Sequence, residues 1–338
     1  MNYYNNKYLG MDWDVDYNVD VAVDEEKAVP FIASQFNTTR HSTGSVILDA
    51  LFKGGLPEGK IVELESLPVI GRAIALQHCI TYCASGKKVV YIDLDQKVDC
   101  NLLERTGLDK FHKDGPDKSF FLWQATSIED CEKIMDTILK DGSKSPAVVI
   151  IDSPSMLNLI KGFIKSATQL SYSFYWATIL KNFLLRYRVK FRQISCSMIL
   201  INHLKKVNTV TSFESLIYDP FTDAHIVISN VSTLLDNIQV SYDDKLSIYA
   251  VKNHFGHSSI SLPAYMIYGE GLSNTMSYRD YLIQHKIITY FEGCYTFKTP
   301  DCDFVCSGEV EIDRMINEYF AYVQQIVAET GGFILKNE

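Results

Sequence analysis

The chain has 338 residues, 47% of them apolar and 22% charged, with a formal net charge of −9. These proportions are those of a soluble globular protein, and the length suits one full-sized domain with a smaller companion. No run of 18 apolar residues occurs and the N-terminus is polar, which argues against a membrane span or secretory signal and points to a cytoplasmic protein.

Residues 1–28 set Lys7 and Lys27 against Asp12, Asp14, Asp16, Asp20, Asp24, Glu25 and Glu26 and lack apolar periodicity, the pattern of an acidic flexible arm. The apolar stretch 29–36 (VPFIASQF) then stands before the core, free by sequence to pack on its own domain or on a neighbouring subunit. From residue 61 strands and helices alternate. Residues 61–65 read as a buried strand, 72–85 as a helix closed by Gly86, and 89–92 and 120–123 as strands. Ser127, with Asp130 three residues on, opens a helix to Leu139 through a variant of the capping box. Residues 147–151 form a wholly apolar strand ending in Asp152, a long helix covers about 171–191, and 198–201 is another buried strand. This alternation predicts an α/β core with a mostly parallel sheet covered on both faces. From Ala224 the helices drop out. Residues 226–228, 233–235, 246–251 and 264–268 read as strands that extend the same sheet antiparallel. Beyond Ser273, helices at about 277–286 and 309–329 flank an aromatic segment (Tyr290, Phe291, Tyr295, Phe297), which predicts a small α+β C-terminal domain over 273–338.

The eight cysteines form no framework. Cys294, Cys302 and Cys306, with His285 upstream, lack the two close pairs of a zinc site, so reduced cysteines and no metal site are expected. The acid is concentrated at both ends of the chain, so any contact with nucleic acid has to come from local patches in the middle.

An ordered string of motifs runs through the core. It begins with Ser42-Thr43-Gly44-Ser45, Leu48-Asp49, Gly54-Gly55-Leu56-Pro57 and Gly59-Lys60-Ile61-Val62-Glu63. It continues with Tyr91-Ile92-Asp93-Leu94-Asp95, VVIIDS at 148–153, Asn202-His203, Val251-Lys252-Asn253 and Tyr268-Gly269-Glu270-Gly271. In order and spacing this resembles the RecA/UvsX recombinases over roughly residues 42–300. The Asn-His pair is nearer to the bacteriophage recombinase UvsX than to bacterial RecA, which suggests a phage source and a host-cell cytoplasm. The resemblance implies a RecA-like P-loop ATPase core over 42–272.

The phosphate loop itself is degenerate. A P-loop reads G-x-x-x-x-G-K-[ST], in which glycines let backbone N–H groups curl round phosphate, Lys reaches the outer phosphates and the hydroxyl holds magnesium. Here the eight residues are Ser66-Leu67-Pro68-Val69-Ile70-Gly71-Arg72-Ala73. Pro68 has no N–H to give, Leu67, Val69 and Ile70 are apolar, Arg72 replaces the lysine and the methyl of Ala73 replaces the hydroxyl. Losing one charge-stabilising donor costs about 100- to 1000-fold in rate, so ATP hydrolysis is expected to be weak or lost. Other positions match more closely by resemblance. Asp152 stands at the metal-coordinating Walker B carboxylate, and Asp95 at the water-activating glutamate. Asp99 matches the acid near adenine, and Lys252 a lysine presented across the subunit interface, with His254 at its companion. His203 and the altered Ser66, Gly71, Arg72 and Ala73 complete the inherited nucleotide site, while Leu102 stands where an adenine-stacking tyrosine is usual. ATP and Mg2+ are thus implied by family and opposed by the loop, and no cofactor is expected to be required for assembly.

By position, two DNA-facing loops fall at about 154–170 and 204–222. The first holds Lys161, Phe163 and Lys165, the second Lys205, Lys206, Phe213 and Tyr218; bases with interspersed rings suit single-stranded DNA. Glu214 and Asp219 oppose phosphate, and a basic tract (Arg186, Arg188, Lys190, Arg192) either serves DNA or solvates a helix face. The resemblance further implies a head-to-tail homopolymer, with residues 29–41 as the linking segment and Phe31, Ile32, Ala33 and Phe36 as its apolar contacts. The leading expectation is a filament-forming DNA recombination and repair protein. The alternative is a non-catalytic paralogue that regulates or scaffolds an active recombinase.

Overall fold

Apolar residues alternate to both sides of every central strand, and that pattern dictates a sheet buried on both faces. The computed structural model describes residues 39–112, 118–140, 146–156, 169–204, 220–230, 243–299, 302–330 and 332–333, all within one compact unit, Thr38–Glu338. In chain order the elements are β1 (Arg40–His41), α1 (Val46–Leu51), β2 (Leu56–Pro57), β3 (Ile61–Ser66), α2 (Pro68–Ala84), β4 (Val89–Asp93) and α3 (Cys100–Thr106). Next come β5 (Phe120–Gln124), α4 (Ile128–Lys140), β6 (Val148–Asp152), α5 (Gln169–Gln193), β7 (Ser197–His203), β8 (Ala224–Asn230), β9 (Asp243–Asn253), β10 (Ile260–Ile267) and β11 (Gly271–Leu272). The chain closes with α6 (Asn274–Gln284), β12 (Ile288–Phe291), β13 (Cys294–Lys298), β14 (Asp303–Ser307), α7 (Glu309–Glu318) and α8 (Phe320–Glu329).

Nine strands form one sheet in the order β11-β10-β9-β8-β3-β7-β6-β4-β5. From β8 to β5 every neighbouring pair is parallel, and β9, β10 and β11 extend the sheet antiparallel, as the loss of helices after Ala224 predicted. One face packs Val62, Leu64, Tyr91, Ile150, Ile199 and Ile201 against α1 and α2. The other packs Val90, Ile92, Val149, Ile151, Met198 and Leu200 against α4 and α5. A third cluster joins α6, α7 and α8 to the three-stranded sheet β12-β13-β14 around Leu282, Phe297, Ile312 and Val323.

Local signals read from sequence take their places. Ser127 Oγ donates to Asp130 at 2.8 Å and accepts from its backbone N–H at 3.1 Å. Gly86 follows α2 at φ 76°, a conformation that favours glycine. Three boundaries differ. The span 309–329 is two helices broken at Tyr319 rather than one, β10 begins at Ile260, and α2 begins at Pro68, four residues before the expected start. The strand expected at 233–235 lies outside the described residues.

Candidate nucleotide site

The early start of α2 decides the site. Pro68 occupies the first turn, where its missing N–H costs nothing and its fixed φ suits a helix. Ile70 and Ile74 then bury themselves in the core below. Leu67 alone connects β3 to α2, and Gly71 N–H donates to Leu67 C=O at 3.0 Å. The amide that an open phosphate loop would aim at an anion is therefore spent inside a helix. Gly71 is needed for another reason: a Cβ there would meet Ser66 Oγ at 2.5 Å and Ile201 Cγ2 at 2.8 Å. The surviving glycine allows the close approach of α2 to the tips of β3 and β7. Ser66 is buried, with its hydroxyl donating to Leu67 C=O at 3.0 Å, and Ala73 packs its methyl against the core.

Arg72 points across the tips of the parallel strands. Its Nε donates to Asp152 Oδ2 at 2.8 Å and its Nη2 to Asp95 Oδ2 at 2.9 Å. Asp152 sits at the end of β6, in register with Asp93 of β4 and Ile201 of β7, and is fully buried. Tyr91 Oη donates to the same Asp152 oxygen at 2.7 Å, and Ser153 Oγ to Asp95 Oδ1 at 3.3 Å. Burial pushes the Asp152 pKa up, against the opposing pull of Arg72 and the Tyr91 hydroxyl. For Arg72, burial works against the charge but Asp152 and Asp95 outweigh it, so its pKa stands above the ordinary value. The guanidinium is therefore the fixed counter-charge of Asp95 and Asp152.

His203, at the tip of β7, joins this group, with Nε2 3.5 Å from Asp95 and 4.0 Å from Asp152. Two further positions of the resemblance are held by their own elements. Asp99 caps α3, accepting from Leu102 N–H at 2.8 Å, and Lys252 lies on β9 opposite His225 of β8. Lys161, Phe163, Lys165, Lys205, Lys206, Phe213 and Tyr218, like Phe31, Ile32, Ala33 and Phe36, lie outside the described residues. The basic tract on α5 has internal partners. Arg186 pairs with Glu132 at 3.3 Å and Asp136 at 3.1 Å, Arg188 and Arg192 reach Asp223 at 3.8 and 3.4 Å, and Lys190 lies over the Tyr187 ring.

Sequence reasoning missed Tyr91 as a site member and a second polar group on the sheet face under α5. There His225 Nε2 meets Glu65 Oε2 at 2.9 Å and Asn202 donates to Glu63 at 3.1 Å, all four residues being buried. Two acids at alternate positions of an apolar strand were the available signal, since both must point to the same face.

A mostly parallel sheet covered on both faces, with carboxylates beyond the C-terminal ends of its strands, defines an open α/β protein of the class in which ligands bind at those ends. Its family is specific. Residues 31–273 match the RecA N-terminal domain, and the chain belongs to the RecA family. It is 24% identical to the RecA protein of Clavibacter michiganensis subsp. michiganensis, over 75% of this chain and 70% of the relative. It is 24% identical to that of Bifidobacterium breve over 84% and 71%, and 23% identical to that of Chloroherpeton thalassium over 85% and 79%. Among the described residues no helix is long and apolar enough to cross a membrane.

Proposed function

We propose that the protein is a recombination and repair subunit of RecA type that assembles head-to-tail and holds single-stranded DNA without hydrolysing ATP. One observation carries this reading: the phosphate loop is replaced by the first turn of α2, and Arg72 is already bound by both carboxylates that would serve magnesium and water. Nucleotide would have to unwind that turn and displace a buried ion pair. Mg2+ would also lack the hydroxyl that Ala73 replaces, so these residues do not fit magnesium–ATP. Without nucleotide to bridge subunits, the apolar segment around Phe31 and Ile32 is the proposed contact for assembly. Lys161, Lys165, Lys205 and Lys206, with Phe163, Phe213 and Tyr218, are the proposed contacts for a single strand.

The test is phosphate release with and without single-stranded DNA, beside electron micrographs of the pure protein with and without ATP and DNA. No release above a blank is expected, with filaments in all conditions. DNA-stimulated turnover of about 1 per second or more, within the ordinary enzyme range, would sink the reading. Ser66→Gly, Arg72→Lys and Ala73→Thr together should fail to restore turnover, because Pro68 and Ile70 still drive the helical turn.

A second reading, a non-catalytic paralogue that supports an active recombinase, draws on the internal pairing of Arg186, Arg188 and Arg192, which leaves less charge for phosphate. Fluorescence anisotropy with single-stranded DNA at two salt concentrations separates the two. Steeply salt-dependent binding supports the first, and no binding at low salt supports the second.

A further inference from the structure

We propose that Asp95, Asp152 and His203 form a direct binding site for a zinc-like divalent transition ion, occupied without any nucleotide. The ligand atoms of these three residues all lie within 4.8 Å of one another. His203 Nε2 stands 3.5 Å from Asp95 Oδ2 and 4.0 Å from Asp152 Oδ1. The longer spacing is no hydrogen bond, and the shorter one makes none either: Nε2 has no hydrogen-bond partner among the described residues. The shorter spacing is near the separation of two ligands on one tetrahedral ion, about 3.4 Å for bonds of about 2.0–2.1 Å, and the longer one closes to it by a small turn of the His203 ring.

A second observation points the same way. Asp152 Oδ1 is buried and has no hydrogen-bond partner among the described residues, although Asp152 as a whole is fully buried. Arg72 and Tyr91 both take the other oxygen, Oδ2, so Oδ1 is left directed at His203. A buried acceptor and a buried ring nitrogen facing each other across a gap are costly unless something fills it.

The charges also favour a cation. Arg72 supplies one positive charge against the two carboxylates, so with a neutral imidazole the group is one charge short of balance. A divalent ion turns that one net negative charge into one net positive charge and accepts the imidazole lone pair. The donor set also selects the ion. Imidazole with two carboxylates suits zinc, cobalt or manganese, whereas Mg2+ prefers an all-oxygen shell with several waters. The His203 side chain is 21% exposed, so the group lies near the surface, and a water completes the four ligands of the proposed site. This site does not depend on the nucleotide reading above: it requires neither phosphate nor hydrolysis, and its test contains no ATP.

The test uses the full chain, stripped with a chelator and titrated with Co2+ while visible absorption is followed. The expected result is one equivalent of Co2+ with the intense bands of a four-coordinate ion, displaced by Zn2+ and not by excess Mg2+. His203→Gln and Asp152→Asn should each weaken binding by about 10-fold or more. Arg72→Gln should tighten it, because a neighbouring positive charge is removed. His225→Gln should leave the bands unchanged, which separates this site from the buried Glu63–Glu65–His225 group. His203 lies at a partly exposed strand tip, so its variant is the decisive one, with folding checked by circular dichroism. Absence of stoichiometric uptake, or wild-type affinity in folded His203→Gln, overturns the proposal.

Discussion

Arg72 at the strand tips and Arg186 on the outer surface of α5 each hold two carboxylates, as Arg279 does with Glu309 and Asp313. Arg72 binds Asp95 and Asp152 with side chains that are 12%, 9% and 0% exposed, whereas Arg186 binds Glu132 and Asp136 with 46%, 35% and 34% exposed. The bond lengths are similar, yet the surroundings make the pairs different objects. Around Arg186 water screens the charges and replaces either partner when it leaves. Around Arg72 the side chains are largely buried, so the carboxylates have been desolvated and depend on the guanidinium. Asp95 and Asp152 are thereby tied into the fold itself.

The largest expected effect comes from breaking the buried pair. Arg72→Met should lower unfolding free energy by about 3–5 kcal/mol, because two acids stay buried with no cation between them. Adding Asp152→Asn to that variant should recover part of the loss by removing one of the two charges. Urea unfolding of the single and double variants measures both, and a loss below about 1 kcal/mol would place Arg72 in the same class as Arg186.

His78 sharpens the comparison from the other side, as a buried ionisable group in α2 with no ion pair. Burial depresses its pKa from 6.5 to about 4, opposed only partly by Asp49. A depressed histidine adds stability that is full above its unfolded pKa and lost as pH falls through the folded one. Between pH 6.5 and about 4 the fold should therefore lose roughly 3 kcal/mol through this group. His78→Leu should flatten that part of the stability profile; an unchanged slope would show that the imidazole is not buried neutral. The smallest effect is expected on the surface, where Arg186→Ala should cost about 0.2–1 kcal/mol, read from the same unfolding curves.

Much of the architecture was legible because strand and helix periodicity act over a few residues. Residues 147–151 are wholly apolar, so they had to form an inner strand, and Asp152 after them had to stand at its C-terminal end, where ligands bind in sheets of this kind. The Ser127–Asp130 cap and Gly86 were readable for the same local reason. The residue substitutions in the phosphate loop were legible too, since a missing hydroxyl or amide N–H is a property of the residue alone.

What Arg72 does instead was not legible. Its partners lie 23 and 80 residues away, and only the order of β4, β6 and β7 in the sheet brings Asp95, Asp152 and His203 to its side chain. The same holds for Glu65 and His225, which meet only because β3 and β8 are neighbours. The sequence by itself determined the strands, the family string and the loss of phosphate-binding groups, because these are set by local composition. Only the tertiary structure decided that the loop closes into α2 and that its arginine pairs with the acids, because burying a charge requires a counter-charge and distant parts of the chain supply it.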